Sequence, residues 1–570
     1  MADWEKYKLE EVIEDIKEDK YVLPVIQRGF VWNEEKMELL FDSLLKGNSF
    51  GSIIVLEEEK DSKPLFEFRK FTKNGEEEIS KPIDFLPHAH KFVIDGQQRL
   101  QSFYIGILGH LDNKTLYFDL LGDYKTNYDF RFSQDKNKLN TKKEDDHKTP
   151  CFWYPIPDLF KLMKEANEYD SVAEDLIEQY KEQYNFDENT KKTVKENLKA
   201  FYKNVFNQDV IGVAQVKFNK KQFSETERKE KVLELFKRLN DGGTQLSAID
   251  LIASKLKSFN YKMEDFLRKL ERDFKDINLT LENLIKLIFI LQDNSVKQMS
   301  QIDESDTTFA LNNETRIINT LLMVREFLKQ ADLYEYYENS TNRSFVPIFF
   351  IAYSIFHKDI KDADILHIWD KVETSSPDFN PMKKWIYYSL LNGVFRSKGA
   401  GWTPYTTGIN CILNIMKNHQ KEIFPCEELF DLYRDYPLKN FTLQNTISNL
   451  DKFDDVFLYY LIYGKEFRFR KNDIDHIMPK KILNNYHYDD TMINSIKNFQ
   501  LLDYGTNRGV KKDKPFKEWI NNAEYVKNKR KYISIHLIPE NESLWTEDKF
   551  PEFTKSRGEM LVNLINKKIG

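Results

Sequence analysis

Apolar residues recur at helical spacing at the start of the chain. Leu9, Val12, Ile13 and Ile16 form one stripe and predict an amphipathic helix. Residues 21–32 read as an extended, proline-bearing segment. Asn33 suits an N-cap for a second helix with Met37, Leu40, Phe41 and Leu44 inward, stopped near Gly47. Short apolar runs at 52–56, 92–94, 116–121 and 210–218 predict strands. The charged stretches 57–90 and 133–149 predict loops. Helical spacing returns at Leu100, Phe103 and Ile107, and again at Val232, Leu235, Phe236 and Leu239. Ser247-x-x-Asp250 then reads as a capping box, with Ile249, Ile252 and Leu256 on the inward face of the next helix.

From about 261 to 455 the pattern predicts successive helices at 279–291, 315–333, 345–360, 382–395 and 411–423. The longest apolar run, 345–356, contains Pro347 and Ser354 and falls short of the ~20 residues a membrane span needs. It predicts a buried helix. Residues 396–402 read as a basic connector, and His88-x-His90 as a loop feature with no third ligand nearby. Neither short repeats nor a low-complexity linker divides the chain.

Composition narrows the class. A chain of 570 residues holds roughly two to four domains. Cys151, Cys411 and Cys426 lack paired spacing, which argues against a disulfide frame or a zinc site and fits a reducing cytoplasm. The N-terminal M-A-D-W-E-K lacks the apolar core of a signal peptide. Net charge is −7, yet residues 465–531 carry 16 Lys and Arg against 9 Asp and Glu. Phosphate binding follows the local field, so this region suits nucleic acid although the total is acidic. Arg508, Lys511, Lys512 and Lys514 are its candidate DNA contacts, and Lys527, Lys529, Arg530 and Lys531 make a second basic cluster.

Two stretches carry chemistry. The first is D-I-D-H-I-M-P-K-K-I-L, followed after a polar loop by K-N-F-Q-L-L-D-Y-G-T-N-R-G-V-K-K. Asp475 and His476 are adjacent, so on a strand they point to opposite faces unless a distortion or loop turns them together. Asn498 opens a second apolar run, and Asn507 lies at what reads as a helix start. Imidazole can serve as base for water, while a carboxylate and an amide carbonyl suit Mg²⁺. The second stretch is Phe92-Val93-Ile94 followed by D-G-Q-Q-R and a helix. Strand, glycine turn and helix start can present backbone N–H groups to an anion, and Arg99 adds a fork for phosphate oxygens. A polar turn with a solvated arginine is the other reading. No G-x-x-x-x-G-K-[ST] sequence occurs.

The first stretch resembles the HNH (His-Me finger) nucleases. It is similar to the HNH domain of RNA-guided CRISPR effectors and to the C-terminal nuclease of GmrSD-type modification-dependent restriction enzymes. The resemblance implies catalytic roles for His476, as general base, and Asn498, which orients the loop and the histidine. It implies Asp475 and Asn507 as ligands of Mg²⁺ or Mn²⁺. At the other end, I-Q-R-G-F-V-W with V-I-D-G-Q-Q-R-L resembles the paired signature of the ParB/sulfiredoxin-like domain in the GmrSD-type family. L-F-K-R-L-N-D-G-G-T-Q-L-S is similar to the segment that closes that domain. This implies a nucleoside triphosphate (GTP, UTP or ATP) bound and hydrolysed at Gln27, Arg28, Asp95, Gly96, Gln97, Gln98 and Arg99. The family commonly has threonines after the Leu, where this chain has Gln101 and Ser102, so the nucleotide stays unassigned.

The expected architecture is therefore α+β and multidomain. A ParB/sulfiredoxin-like α/β domain spans 1–258, a helical connecting region 259–455, and a ββα-metal (HNH) nuclease embedded in helices 456–570. The resemblance implies a cytoplasmic, nucleotide-responsive DNA endonuclease of prokaryotic defence against foreign DNA, modified on a base or by phosphorothioate. Its expected partners are DNA and the nucleotide, with no membrane; homo-oligomer formation is left open. Two other readings stand beside it: an NTPase or regulatory DNA-binding module with a weak nuclease, and an RNA-cleaving toxin.

Overall fold

A computed structural model describes residues 3–48, 51–76, 83–139, 151–184, 186–218, 222–240, 247–295, 297–338, 343–358, 377–396, 401–438, 440–464, 472–503 and 505–570. The fold is α+β. The chain forms two compact units, Met1–Glu264 with Ile302–Glu304, and Asp265–Gln301 with Ser305–Gly570.

Unit 1 is built on a six-stranded mixed sheet. In chain order its strands are β1 (Asp3–Tyr7), β2 (Tyr21–Pro24), β3 (Ile53–Glu58), β4 (Phe68–Arg69), β5 (His90–Asp95) and β9 (Ile211–Val216). They lie in the order β1-β9-β3-β5-β2-β4. A three-stranded antiparallel sheet, β7-β6-β8, is made of β6 (Thr115–Asp119), β7 (Phe130–Ser133) and β8 (Trp153–Pro155). The helices are α1 (Leu9–Lys17), α2 (Glu34–Leu45), α3 (Gln97–Leu108), α4 (Ile156–Ala166), α5 (Asp170–Tyr180), α6 (Glu188–Tyr202), α7 (Glu225–Asn240) and α8 (Ala248–Phe259). The predicted stripe of α1 is buried, and α2 starts where Asn33 Oδ1 accepts from Lys36 N at 3.2 Å. One core joins these layers, with Phe41 of α2 set against Phe103 of α3 and Phe130 of β7, each 5.5 Å between ring centroids.

Several expectations change here. The extended segment 21–32 is a strand only over β2, after which the chain turns. The stretch 57–90 is not a plain charged loop: it contributes β4 and buries Leu65, Phe66, Phe68, Phe71 and Leu86. Arg69 within it is wholly buried, donating to the Gln27 carbonyl at 2.5 Å and lying 3.6 Å from Glu264. His90 begins β5, with its ring stacked on that of His88 at 4.3 Å. Part of the predicted loop 133–149 lies outside the described residues, as do the D-G-G residues after α7 and most of the connector 396–402. At the ends of that connector Arg396 pairs with Asp454 at 2.7 Å and Trp402 is buried. The capping box of α8 forms as read, with Asp250 N donating to Ser247 Oγ at 3.2 Å.

Unit 2 contains the predicted helices, now bounded at Leu281–Leu291, Glu314–Gln330, Val346–His357, Phe379–Leu391 and Ile409–Asn418. Segments on either side of the expected boundary at 455/456 pack together within unit 2. The last helix, Phe550–Ile569, reaches back to earlier segments: Asn445 donates to Asn566 at 2.9 Å and Lys568 pairs with Asp332 at 2.9 Å. Helix Asp455–Tyr463 ends in Tyr463, whose hydroxyl accepts the backbone N–H of Leu501 at 3.1 Å. The helical segment is thus part of the body that carries the histidine.

Candidate nuclease site

β10 (Asn472–His476) pairs antiparallel with β11 (Phe499–Asp503) in unbroken register, Asp475 opposite Gln500 and His476 opposite Phe499. No distortion turns the two side chains together, so Asp475 and His476 occupy opposite faces at the end of one strand. The polar loop between the strands is closed at its neck by Asn498. The Asn498 carbonyl accepts from Ile477 N at 2.7 Å, and its side-chain oxygen from Met478 N at 3.0 Å. Its amide donates to the carbonyls of Met478 and Ile493, both at 3.1 Å. Asn498 is fully buried. It bridges the two ends of the loop and does not face solvent.

On one face, the His476 ring meets Phe499 edge-on at 5.0 Å between centroids. Its Nε2 lies 3.1 Å from Asn494 Oδ1, while Asn494 Nδ2 donates to Asp490 Oδ2 at 2.8 Å. Asp490 fixes which way the amide points, so an acceptor faces His476. The neutral imidazole then carries its hydrogen on Nε2 and its lone pair on Nδ1. Burial pushes its pKa below the ordinary histidine value, and Lys480 and Lys511 act the same way. The Asn494 hydrogen bond and the Asp475 charge pull it back up. Asn494 and Asp490 were not apparent from the sequence, since both sit in the polar loop with no periodic signal.

On the other face, Asp475 is buried between Gln500 and Lys511. Asn507 lies in the single wide turn Gly505–Lys511 rather than in a regular helix, and donates to Asp473 Oδ2 at 3.3 Å. That bond uses the amide nitrogen of Asn507 and leaves its carbonyl oxygen for a cation. Asp473, Asp475 and Asn507 offer oxygen only, the donor type Mg²⁺ prefers. Among the described residues no group of three or more His, Cys, Asp or Glu side chains is set to hold a metal. A hard ion at Asp475 and Asn507 would therefore keep water or phosphate as its remaining ligands, as Mg²⁺ commonly does.

The basic candidates divide. Lys511 is fully buried, its ammonium 2.8 Å from Asp475 and 2.6 Å from the His476 carbonyl, so it is not presented to a phosphate. Lys512 is exposed, and Lys514 lies over the Tyr525 ring at 5.1 Å. The side chain of Arg508 lies outside the described residues. Lys527, Arg530 and Lys531 are exposed, while Lys529 pairs with Glu542 at 2.6 Å.

In unit 1 the two N-terminal motifs meet. Gln27 donates to the carbonyls of Val93 and Ile94 at 2.6 and 2.8 Å, Gln97 to Arg28 at 2.9 Å, and Gln98 to Gly29 at 3.0 Å. Val31 N donates back to Gln98 at 2.9 Å. The glutamines thus stitch one motif to the other, and the side-chain oxygen of Gln27 is buried with no partner among the described residues. Gly96 caps α3 at φ +90°, and Arg99 lies 3.1 Å from Asp95.

Residues 9–257 match the family model described as GmrSD restriction endonuclease, N-terminal domain. Unit 1 is similar to that domain of restriction endonucleases. The match covers both sheets except β1, and both N-terminal motifs. A relative similar to nearly the whole chain is the uncharacterized protein MJ0686 of Methanocaldococcus jannaschii, 24% identical over 551 residues, covering 91% of this chain and 87% of the relative. Among the described residues no helix is long and apolar enough to cross a membrane.

Proposed function

We propose that the chain is a divalent-metal-dependent DNA endonuclease of the GmrSD type, with the hydrolytic centre at the end of β10. The observation that carries this reading is an imidazole on one face of the strand end and oxygen donors on the other. In-line displacement puts the attacking and leaving oxygens on opposite sides of phosphorus. Nδ1 of His476 would take the proton from the attacking water, with Nε2 held by Asn494. Asp475 and Asn507 would hold Mg²⁺ or Mn²⁺, which when bound supplies charge neutralisation at the phosphate and leaving oxygen. Asn498 keeps the loop closed, and Lys512, Lys514 and the 527–531 cluster would contact the backbone of foreign, modified DNA. Matched DNA and RNA duplexes, each with Mg²⁺ or EDTA, test this. Metal-dependent cleavage of DNA is expected, and cleavage of RNA alone would favour the toxin reading.

Unit 1 would supply the control. GTP, UTP or ATP would lie at the first turn of α3, met by backbone N–H groups, Arg99 and Arg28, with Asp95 toward a ribose hydroxyl or a bound cation. Gln27, Gln97 and Gln98 act there as scaffold. Arg99→Ala should lose nucleotide affinity with a small change in melting temperature. Unchanged affinity with clear destabilisation would leave Arg99 a brace for Asp95.

A further inference from the structure

The two carboxylate oxygens of Asp475 are treated differently. Oδ2 accepts from Gln500 Nε2 at 2.8 Å and from Lys511 Nζ at 2.8 Å. Oδ1 accepts nothing among the described residues. Each donor is itself fixed. Gln500 is fully buried, and its side-chain oxygen accepts from Tyr532 at 2.5 Å. The Tyr532 hydroxyl in turn accepts from Trp519 Nε1 at 3.1 Å. Lys511, also fully buried, donates to the His476 carbonyl at 2.6 Å. A buried carboxylate with two donors on one oxygen cannot rotate without breaking a charge-assisted bond and stranding an ammonium.

We infer that Gln500 and Lys511 are positioning residues of the nuclease centre: they occupy Oδ2, leave Oδ1 as the single oxygen Asp475 offers a divalent ion, and tie that carboxylate to the backbone of the base. This rests on the reading of Asp475 as a metal ligand given above. Partners that orient a ligating carboxylate act on metal affinity, whereas a phosphate contact acts on DNA affinity and its salt dependence. The two roles therefore separate by experiment.

Mn²⁺ binding to the full chain, titrated by calorimetry without DNA, reads the first role. Gln500→Leu should raise the Mn²⁺ Kd by roughly tenfold or more. Tyr532→Phe, which removes only the hydroxyl behind Gln500, should raise it less and keeps the test open if Gln500→Leu does not fold. Raising Mn²⁺ should restore cleavage in both, and DNA affinity in EDTA should match wild type. Lys511→Met should keep the wild-type salt dependence of DNA binding. Unchanged Mn²⁺ affinity in folded Gln500→Leu or Tyr532→Phe would overturn the proposal, as would a lowered salt slope in Lys511→Met. If wild type and Asp475→Ala bind Mn²⁺ equally, the metal reading itself fails, and with it this one.

Discussion

Nε2 of His476 lies 3.1 Å from the side-chain oxygen of Asn494, and the amide nitrogen of Asn494 is held by Asp490. This fixes the imidazole tautomer from outside the strand pair. Replacing Asn494 by Leu removes the acceptor without touching Asp475 or the loop neck. With His476 as the proposed base, cleavage should fall on the order of 10- to 100-fold and DNA affinity should stay nearly unchanged, because a base acts only in the chemical step. Single-turnover rates beside binding isotherms check it; a loss of affinity with an intact rate would place Asn494 in DNA contact instead.

Gly96 is the residue best suited to its position. It holds φ +90° at the start of α3, and a Cβ there would meet Ile53 Cδ1 at 2.3 Å. Gly96→Ala should cost about 2 kcal/mol of stability from the strained conformation and the overlap together. Denaturant unfolding of the full chain measures this, and an unchanged midpoint would show that the turn relaxes freely.

Acid should destabilise the body that carries the candidate nuclease site. His536 is buried beside Tyr463 (hydroxyl 2.9 Å from Nδ1) and Tyr532 (ring centroids 4.3 Å apart), with Arg557 donating to its carbonyl at 3.1 Å. Burial, helped by the Arg557 charge, lowers its pKa to about 3 from 6.5. Above 6.5 both folded and unfolded states leave it neutral, so it contributes no pH dependence. Below 6.5 the unfolded chain binds a proton that the folded chain refuses, and stability falls by up to about 1.4 kcal/mol per pH unit toward pH 3. His536→Gln should flatten the decline in melting temperature between about pH 6 and 4. Equal slopes in the two proteins would mean that other groups carry the acid sensitivity.

Much of the local structure was legible in the sequence. The stripe Leu9, Val12, Ile13, Ile16, the Asn33 cap and the Ser247–Asp250 box each needed only neighbouring residues. So did the strand–Gly96–helix turn and the two strands around Asp475 and Asn498. What stayed hidden depends on partners remote in sequence. Arg69 stands in a charged stretch read as a loop, yet it is buried with Glu264 and the Gln27 carbonyl. Lys511 read as one of a basic run, but its partner Asp475 lies across the strand pair. Asn494 carried no periodicity at all. Helices α4 to α6 and strands β7 and β8 were also missed, although Val194, Leu198 and Phe201 have helical spacing and are buried.

In the proposed function, His476 is the base of a metal-dependent DNA nuclease. The most direct test of that role is single-turnover cleavage of modified plasmid DNA by wild type and His476→Ala, with Mg²⁺ or Mn²⁺ and with nucleotide present or absent. Wild type should cleave only with metal, and His476→Ala should lose roughly 100-fold or more at equal DNA affinity and equal melting temperature. Cleavage by His476→Ala at the wild-type rate would contradict that role.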